Sequence, residues 1–112
     1  MLPKPHRLTK KKDFDAVFKN GKSIKNGFLL CRVANNHLQE SRFGFVVSKK
    51  ISNKATVRNK VKRRLRDAVS GVLKGIKKPV DVIIIALSGI ETREFSEIQE
   101  TITNIFKKVK LL

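Results

Sequence analysis

The chain has 112 residues, 26 Lys plus Arg against 9 Asp plus Glu, and a net charge of +17 with a pI near 10.6. That length supports one domain, 1–112, and a hydrophobic fraction of 40% with seven Phe argues against wholesale disorder. There is no apolar run long enough to span a membrane, no apolar stretch behind the basic N-terminus to make a secretory signal, and a single cysteine.

The elements read in chain order as follows. Residues 1–6, with Pro3 and Pro5, are expected to be flexible. Thr9 is suited to cap a first helix ending near Gly21, with Phe14, Val17 and Phe18 on one face and Gly21 in a left-handed position after it. Ser23–Lys25 reads as a short edge segment and Phe28–Ala34 as a stronger strand, closed by an Asn35/Asn36 turn. Arg42–Ser48 is a second strong strand, with Phe43, Phe45 and Val47 on one face and Gly44, Val46 and Ser48 on the other. A long helix is expected over 57–73, starting as much as a turn earlier, its core stripe being Val57, Val61, Leu65, Ala68, Val69 and Val72. Val80–Leu87 fits a central strand interrupted by Asp81, and Phe95, Ile98, Ile102, Ile105, Phe106 and Val109 mark a C-terminal helix with acids early and lysines late. The order is α-β-β-β-α-β-α, one α+β domain without repeat or linker.

The charge is unevenly placed. Residues 1–66 carry 19 basic and 3 acidic side chains, a net +16, and the remaining 46 are nearly neutral. Within 49–66, nine of eighteen positions are Lys or Arg and none is acidic. Like charges so concentrated repel one another and cost folding stability, which favours a polyanion-binding surface over general solubility. On the long helix, Asn59, Lys62, Arg63 and Arg66 lie across from the apolar stripe, so one helix both anchors the core and holds a rigid cationic face. No glycine-rich phosphate loop, paired carboxylates or metal-ligand spacing is present, and His6, His37 and Cys31 are read as structural. No catalytic residue and no metal ligand is therefore assigned: the sequence offers a binding surface. Arg42-Phe43-Gly44-Phe45-Val46 is similar to the stacking segment of RNA-recognition motifs, but the glycine expected after Arg42 is absent and the element order is wrong for that fold.

Ser48-Lys49-Lys50 followed by Ala55-Thr56-Val57-Arg58-Asn59-Lys60-Val61-Lys62-Arg63-Arg64-Leu65-Arg66 closely resembles the protein subunit of bacterial ribonuclease P. Arg7-Leu8 with Asp13-Phe14 and Val17-Phe18-Lys19-Asn20-Gly21 looks like that family's opening helix. Phe43–Lys50 looks like its central strand and 81–86 its last strand. Where the family has Arg-Asn-Arg, this chain has Arg58-Asn59-Lys60, and lysine keeps the charge without the two-pronged guanidinium.

The resemblance implies an α/β sandwich with a left-handed crossover. It implies a non-catalytic subunit that assists a catalytic RNA in removing the 5′ leader from precursor tRNA, Mg²⁺ being held mainly by RNA. Arg58, Asn59, Lys60, Lys62, Arg63 and Arg66 would face the catalytic RNA. Phe14, Phe18 and Ser48 would form a cleft for the single-stranded leader, with Lys12, Lys49 and Lys50 adding phosphate contacts. The expected partners are that RNA and precursor tRNA, with no membrane and no protein partner required, in the cytoplasm. The alternative reading is a general RNA-binding or ribosome-associated protein without a role in cleavage.

Overall fold

The fold, given by a computed structural model that describes residues 2–112, is built on a four-stranded sheet. Its strands are β1 (Lys22–Asn26), β2 (Leu29–Asn35), β3 (Arg42–Val46) and β4 (Val80–Ala86), in the spatial order β1-β2-β4-β3. β1 and β2 form an antiparallel hairpin in which Asn26 pairs with Leu29 across a two-residue turn, and Gly27 supplies the positive φ of 58° there. β2 runs antiparallel to β4, and β3 runs parallel to β4 with Phe43 opposite Val82. The parallel pair is joined through α2 (Ala55–Val72), so β3-α2-β4 is the crossover whose left-handed sense the resemblance implies.

β4 is an almost unbroken apolar run because both of its faces are covered. On one side Val82 and Ile84 join Leu29, Cys31 and Phe43 beneath α2 and α3 (Phe95–Lys108), which contribute Val61, Leu65, Ala68 and Val69, and Ile98, Ile102, Ile105 and Phe106. Phe43 and Phe106 stack with ring centroids 6.1 Å apart. Each such side chain, fully buried, contributes roughly 1.5–3 kcal/mol. On the other side Ile83 meets Leu8 and Val17 under α1 (Lys11–Asn20), with Phe14 and Val46 packed at the margin.

Several expectations are corrected by local geometry. α1 starts after Lys10 rather than Thr9, and no side chain caps it. Gly21 has φ −81°, so it is not left-handed; it is glycine because a Cβ would stand 2.5 Å from the Val17 carbonyl oxygen and 3.1 Å from that of Val33. The strand expected over 42–48 ends at Val46, and it lies at the sheet edge rather than its centre, leaving Ser48 in the following turn. Phe95 is 37% exposed, because it is the first residue of α3, one turn before the buried residues begin at Ile98. Of the segment expected to be flexible, residues 2–6 make defined contacts and residue 1 lies outside the described residues. Leu2 is buried in the main core, and His6 places Nδ1 2.7 Å from the Ser41 carbonyl oxygen and Nε2 3.1 Å from the Glu40 carboxylate.

Candidate nucleic-acid interface

α2 divides its two sides cleanly. Val61, Leu65, Ala68 and Val69 are buried, while Asn59, Lys60, Arg63 and Arg66 are exposed and make no side-chain hydrogen bond or ion pair with another described residue. Asn59, Arg63 and Arg66 recur at i, i+4 and i+7, and with Asp67 they line a shallow hollow of about 330 Å³. The other two predicted positions are partly engaged. Arg58 is half-buried and its Nη1 donates to the Ser52 carbonyl at 2.9 Å, tying the preceding loop to the helix, while Lys62 is half-buried at the flank. No acidic residue stands in the first turn, so the helix start adds its own partial positive charge to the side chains.

A second concavity, about 390 Å³, runs along the outer edge of β3 and is walled by Arg7, Leu8, Thr9, Phe14, Gly44 and Arg66, among others. Phe14 projects from α1 over β3, and a Cβ at Gly44 would come 2.4 Å from its Cζ, so the glycine makes room for the ring. The predicted cleft residues do not all converge here. Phe18, one turn on from Phe14, is 44% exposed but is not a wall of this groove. Ser48, Lys49 and Lys50 are exposed beyond the strand, where the Ser48 Oγ accepts a hydrogen bond from the Lys50 N–H at 3.3 Å. Lys12 is exposed, and helical spacing puts it on the side of α1 away from Phe14; Lys11, at i−3 from Phe14 and i−7 from Phe18, shares the aromatic face.

One arrangement escaped the sequence reading. Arg42 on β3 donates twice to Asp81 on β4, from Nε to Oδ1 at 2.9 Å and from Nη2 to Oδ2 at 2.7 Å, and once to Asp13 on α1 at 3.1 Å. Asn36 also donates to Asp81, at 2.9 Å. The hydrogen bond to Asp81 chiefly raises the Arg42 pKa above its ordinary range; burial opposes it, and the charges of Asp81 and Asp13 add to it. This bridge fastens α1, and with it Phe14, to the sheet. Its only visible trace in the sequence is an acid interrupting an apolar strand.

Cys31 is buried and faces the core beneath α2 and α3, and burial pushes its thiol up to about 12, so it is neither nucleophile nor base-stacking surface. Among the described residues no group of three or more His, Cys, Asp and Glu could hold a metal ion, and the carboxylates that do converge, Asp13 and Asp81, are both taken by Arg42. The protein's own side chains therefore do not fit a Mg²⁺ site. No described helix is long and apolar enough to cross a membrane.

A basic helix face beside an aromatic groove has the chemistry suited to RNA. A family model described as Ribonuclease P matches residues 2–110. The chain belongs to the ribonuclease P protein family. It is 35% identical over 111 residues, 99% of this chain and 92% of the relative, to the ribonuclease P protein component of Streptococcus pyogenes serotype M5 (strain Manfredo). Among solved structures it is similar to a Staphylococcus aureus RNase P protein mutant with defective mRNA degradation activity, with a TM-score of 0.89 at 30% identity, covering 97% of this chain and 92% of that one. The Thermotoga maritima RNase P protein matches with a TM-score of 0.82 at 32% identity, over 91% and 96% of the two chains. The chain is thus the non-catalytic protein subunit of ribonuclease P, which works with the catalytic RNA to process precursor tRNA. As a ribonuclease P protein it has RNA and tRNA as partners, and its family associates with Mg²⁺ as well as with the catalytic RNA.

Proposed function

We propose that the two surfaces divide the RNA between them: the α2 face holds the catalytic RNA, and the β3 groove with Phe14 holds the single-stranded 5′ leader. The observation that carries this reading is Arg66, which stands on the exposed face of α2 and also walls the groove that Phe14 enters. Asn59, Lys60 and Arg63 supply the core of the catalytic-RNA contact, with Arg58 and Lys62 at its margin. Guanidinium and ammonium groups neutralise phosphates and release their counterions, while Asn59 adds a neutral donor and acceptor. Phe14 offers a ring face on which an unpaired base can stack, and Phe18 extends that face outward. Ser48, Lys49 and Lys50 act at the outer lip on phosphates, Lys12 only at longer range, and Lys11 is the better-placed charge beside the two rings.

In this reading the protein moves no proton and makes no bond. It holds the leader against a basic wall, so that part of the entropy of positioning the substrate is lost on binding rather than in the reaction step. Mg²⁺ supplies its chemistry on RNA phosphates; the protein's share is to lower the local density of negative charge, which reduces the concentration of divalent ion needed. The working compartment is the cytoplasm, and no further protein is needed for activity.

The test is cleavage of precursor tRNA by bacterial ribonuclease P RNA at low Mg²⁺ with and without the protein, together with binding titrations over salt. Cleavage at the mature 5′ boundary should be stimulated. Arg63→Ala and Arg66→Ala should each weaken association with the catalytic RNA and reduce its salt slope by about 0.7–0.9 for each lost phosphate contact. Phe14→Ala should weaken leader-bearing precursor more than mature tRNA. An unchanged salt slope would remove the arginine contacts, and equal losses on both ligands would return Phe14 to the core.

A further inference from the structure

Six of the seven basic residues beyond residue 66 are lysines gathered at one end of the molecule. Lys74, Lys77 and Lys78 lie in the connection from α2 to β4, and Lys107, Lys108 and Lys110 at the end of α3. The two groups are neighbours in space: the Lys77 N–H donates to the Leu111 carbonyl at 2.8 Å, and a Cβ on Gly75 would touch the Leu112 side chain at 3.0 Å. All six are exposed, and none forms an ion pair with a described residue. Neither 68–80 nor 101–112 contains an acidic side chain; the acids of α3 and the turn before it, Glu91 to Glu100, stand toward the other end of that helix. The core accounts for none of this charge, and neither does the α2 face, because Arg58 and Lys74 are about 24 Å apart at 1.5 Å per residue along the helix and its last turn.

The position of Lys77 and Lys78 relative to the leader groove is specific. They line a cavity of about 320 Å³ together with His6, Ser41 and Leu73. The groove proposed for the leader is lined from the same parts of the chain. His6 gives way to Arg7 in the N-terminal segment, and Ser41, just before β3, to Phe43 within it, while Leu73 is seven residues on from Arg66 along α2 and its last turn. The two concavities share no wall residue but follow one another along the N-terminal segment, whose Arg7 pairs with Phe43 in an isolated bridge between them. The one acid among the walls of the lysine-lined cavity, Glu40, lies 3.1 Å from His6 Nε2, and with two lysines that stretch is net positive.

We infer that the leader track continues past the aromatic groove to Lys77 and Lys78, which bind phosphates of leader nucleotides farther along the strand than those stacked at Phe14. This rests on the leader assignment above and adds a prediction that assignment does not make: the charge of Lys77 and Lys78 should set how affinity changes as the leader lengthens. The ligand is flexible single-stranded RNA, for which exposed lysines on a curved surface are suited, since they act as point charges with no demand on base identity.

The experiment measures binding of the assembled holoenzyme to two precursor tRNAs that differ only in leader length, one short enough to fill the groove and one several nucleotides longer. In the wild type the longer leader should bind more tightly. Lys77→Gln combined with Lys78→Gln should lower the ratio of long- to short-leader affinity by about 5- to 10-fold, and reduce the long-leader salt slope by about 1.4, from 0.7 per phosphate on a single strand. Lys77→Arg with Lys78→Arg should restore both, which separates charge from folding. An unchanged ratio, or equal weakening of both substrates, overturns the inference; so does a loss confined to association with the catalytic RNA, which would assign the lysines to that partner. Phe14→Ala keeps the two readings apart. If it weakens both precursors relative to mature tRNA while the lysine variants leave the ratio alone, the groove stands and its extension falls. If Phe14→Ala has no leader-specific effect, the groove assignment fails first.

Discussion

Replacing Arg42 with alanine removes three hydrogen bonds to two carboxylates and leaves Asp81, 7% exposed, with Asn36 as its remaining side-chain donor. Breaking a fully buried ion pair in this way costs about 3–5 kcal/mol. Here the Arg42 side chain is 22% exposed and the Asn36 bond survives, which brings the expected loss to about 2–3 kcal/mol. At roughly 4 °C per kcal/mol for a domain of this size, Tm should fall by about 8–12 °C. The assay is urea unfolding followed by far-ultraviolet circular dichroism at fixed ionic strength, because a chain of charge +17 is sensitive to salt. Asp13→Asn, which weakens a single bond, should cost about 1 kcal/mol. Since the Arg42 pKa is raised, its contribution is complete below the ordinary arginine range and is lost only as pH rises through the folded value, so the effect should be flat across neutral pH. A loss below about 0.5 kcal/mol for Arg42→Ala would refute the view that this bridge fastens α1 to the sheet.

Two further substitutions probe other links. The Cys31 thiol is raised by burial from 9.0 to about 12, so its stabilising contribution is whole below pH 9 and declines as pH rises toward 12. Between pH 9 and 10 the wild type should lose about 1 kcal/mol more in urea unfolding than Cys31→Val, and parallel pH profiles would show that the thiol does not titrate this way. Gly44→Ala places a methyl group in the space of the Phe14 ring; the ring can swing outward, so stability should fall by only about 1 kcal/mol while the preference for leader-bearing over mature tRNA drops. A full loss of fold, or an unchanged preference, would contradict the proposed role of that contact.

What could be read in advance follows the range of the interaction concerned. α2 and α3 were legible because each keeps a helical period over ten or more residues, and β4 because its apolar run is almost unbroken; the cationic side of α2 follows from the same periodicity that buries Leu65. Features that depend on a distant partner were not legible. Gly21 and Gly44 look like ordinary turn and strand glycines until the Val33 carbonyl and the Phe14 ring are in place. The Arg42–Asp81 pair spans 39 residues of sequence, so Asp81 reads only as an interruption. Ser48 and Lys12 stand off the groove for local reasons: β3 ends two residues before Ser48, and Lys12, two positions from Phe14, lies on another side of α1.

The sheet has two outer strands, and an uncovered backbone edge is the usual route by which β proteins stick to copies of themselves. β1 is only five residues long and carries Lys22 and Lys25, so a second copy approaching it meets charge before it meets hydrogen-bonding partners. β3 is shielded by the N-terminal segment, whose Leu8 N–H donates to the Phe43 carbonyl at 2.9 Å. That segment thus does two jobs: it walls the groove proposed for the leader and occupies the place another strand would take. Trimming residues 2–9 should therefore cost solubility as well as binding, with concentrated protein beginning to self-associate through the uncovered strand.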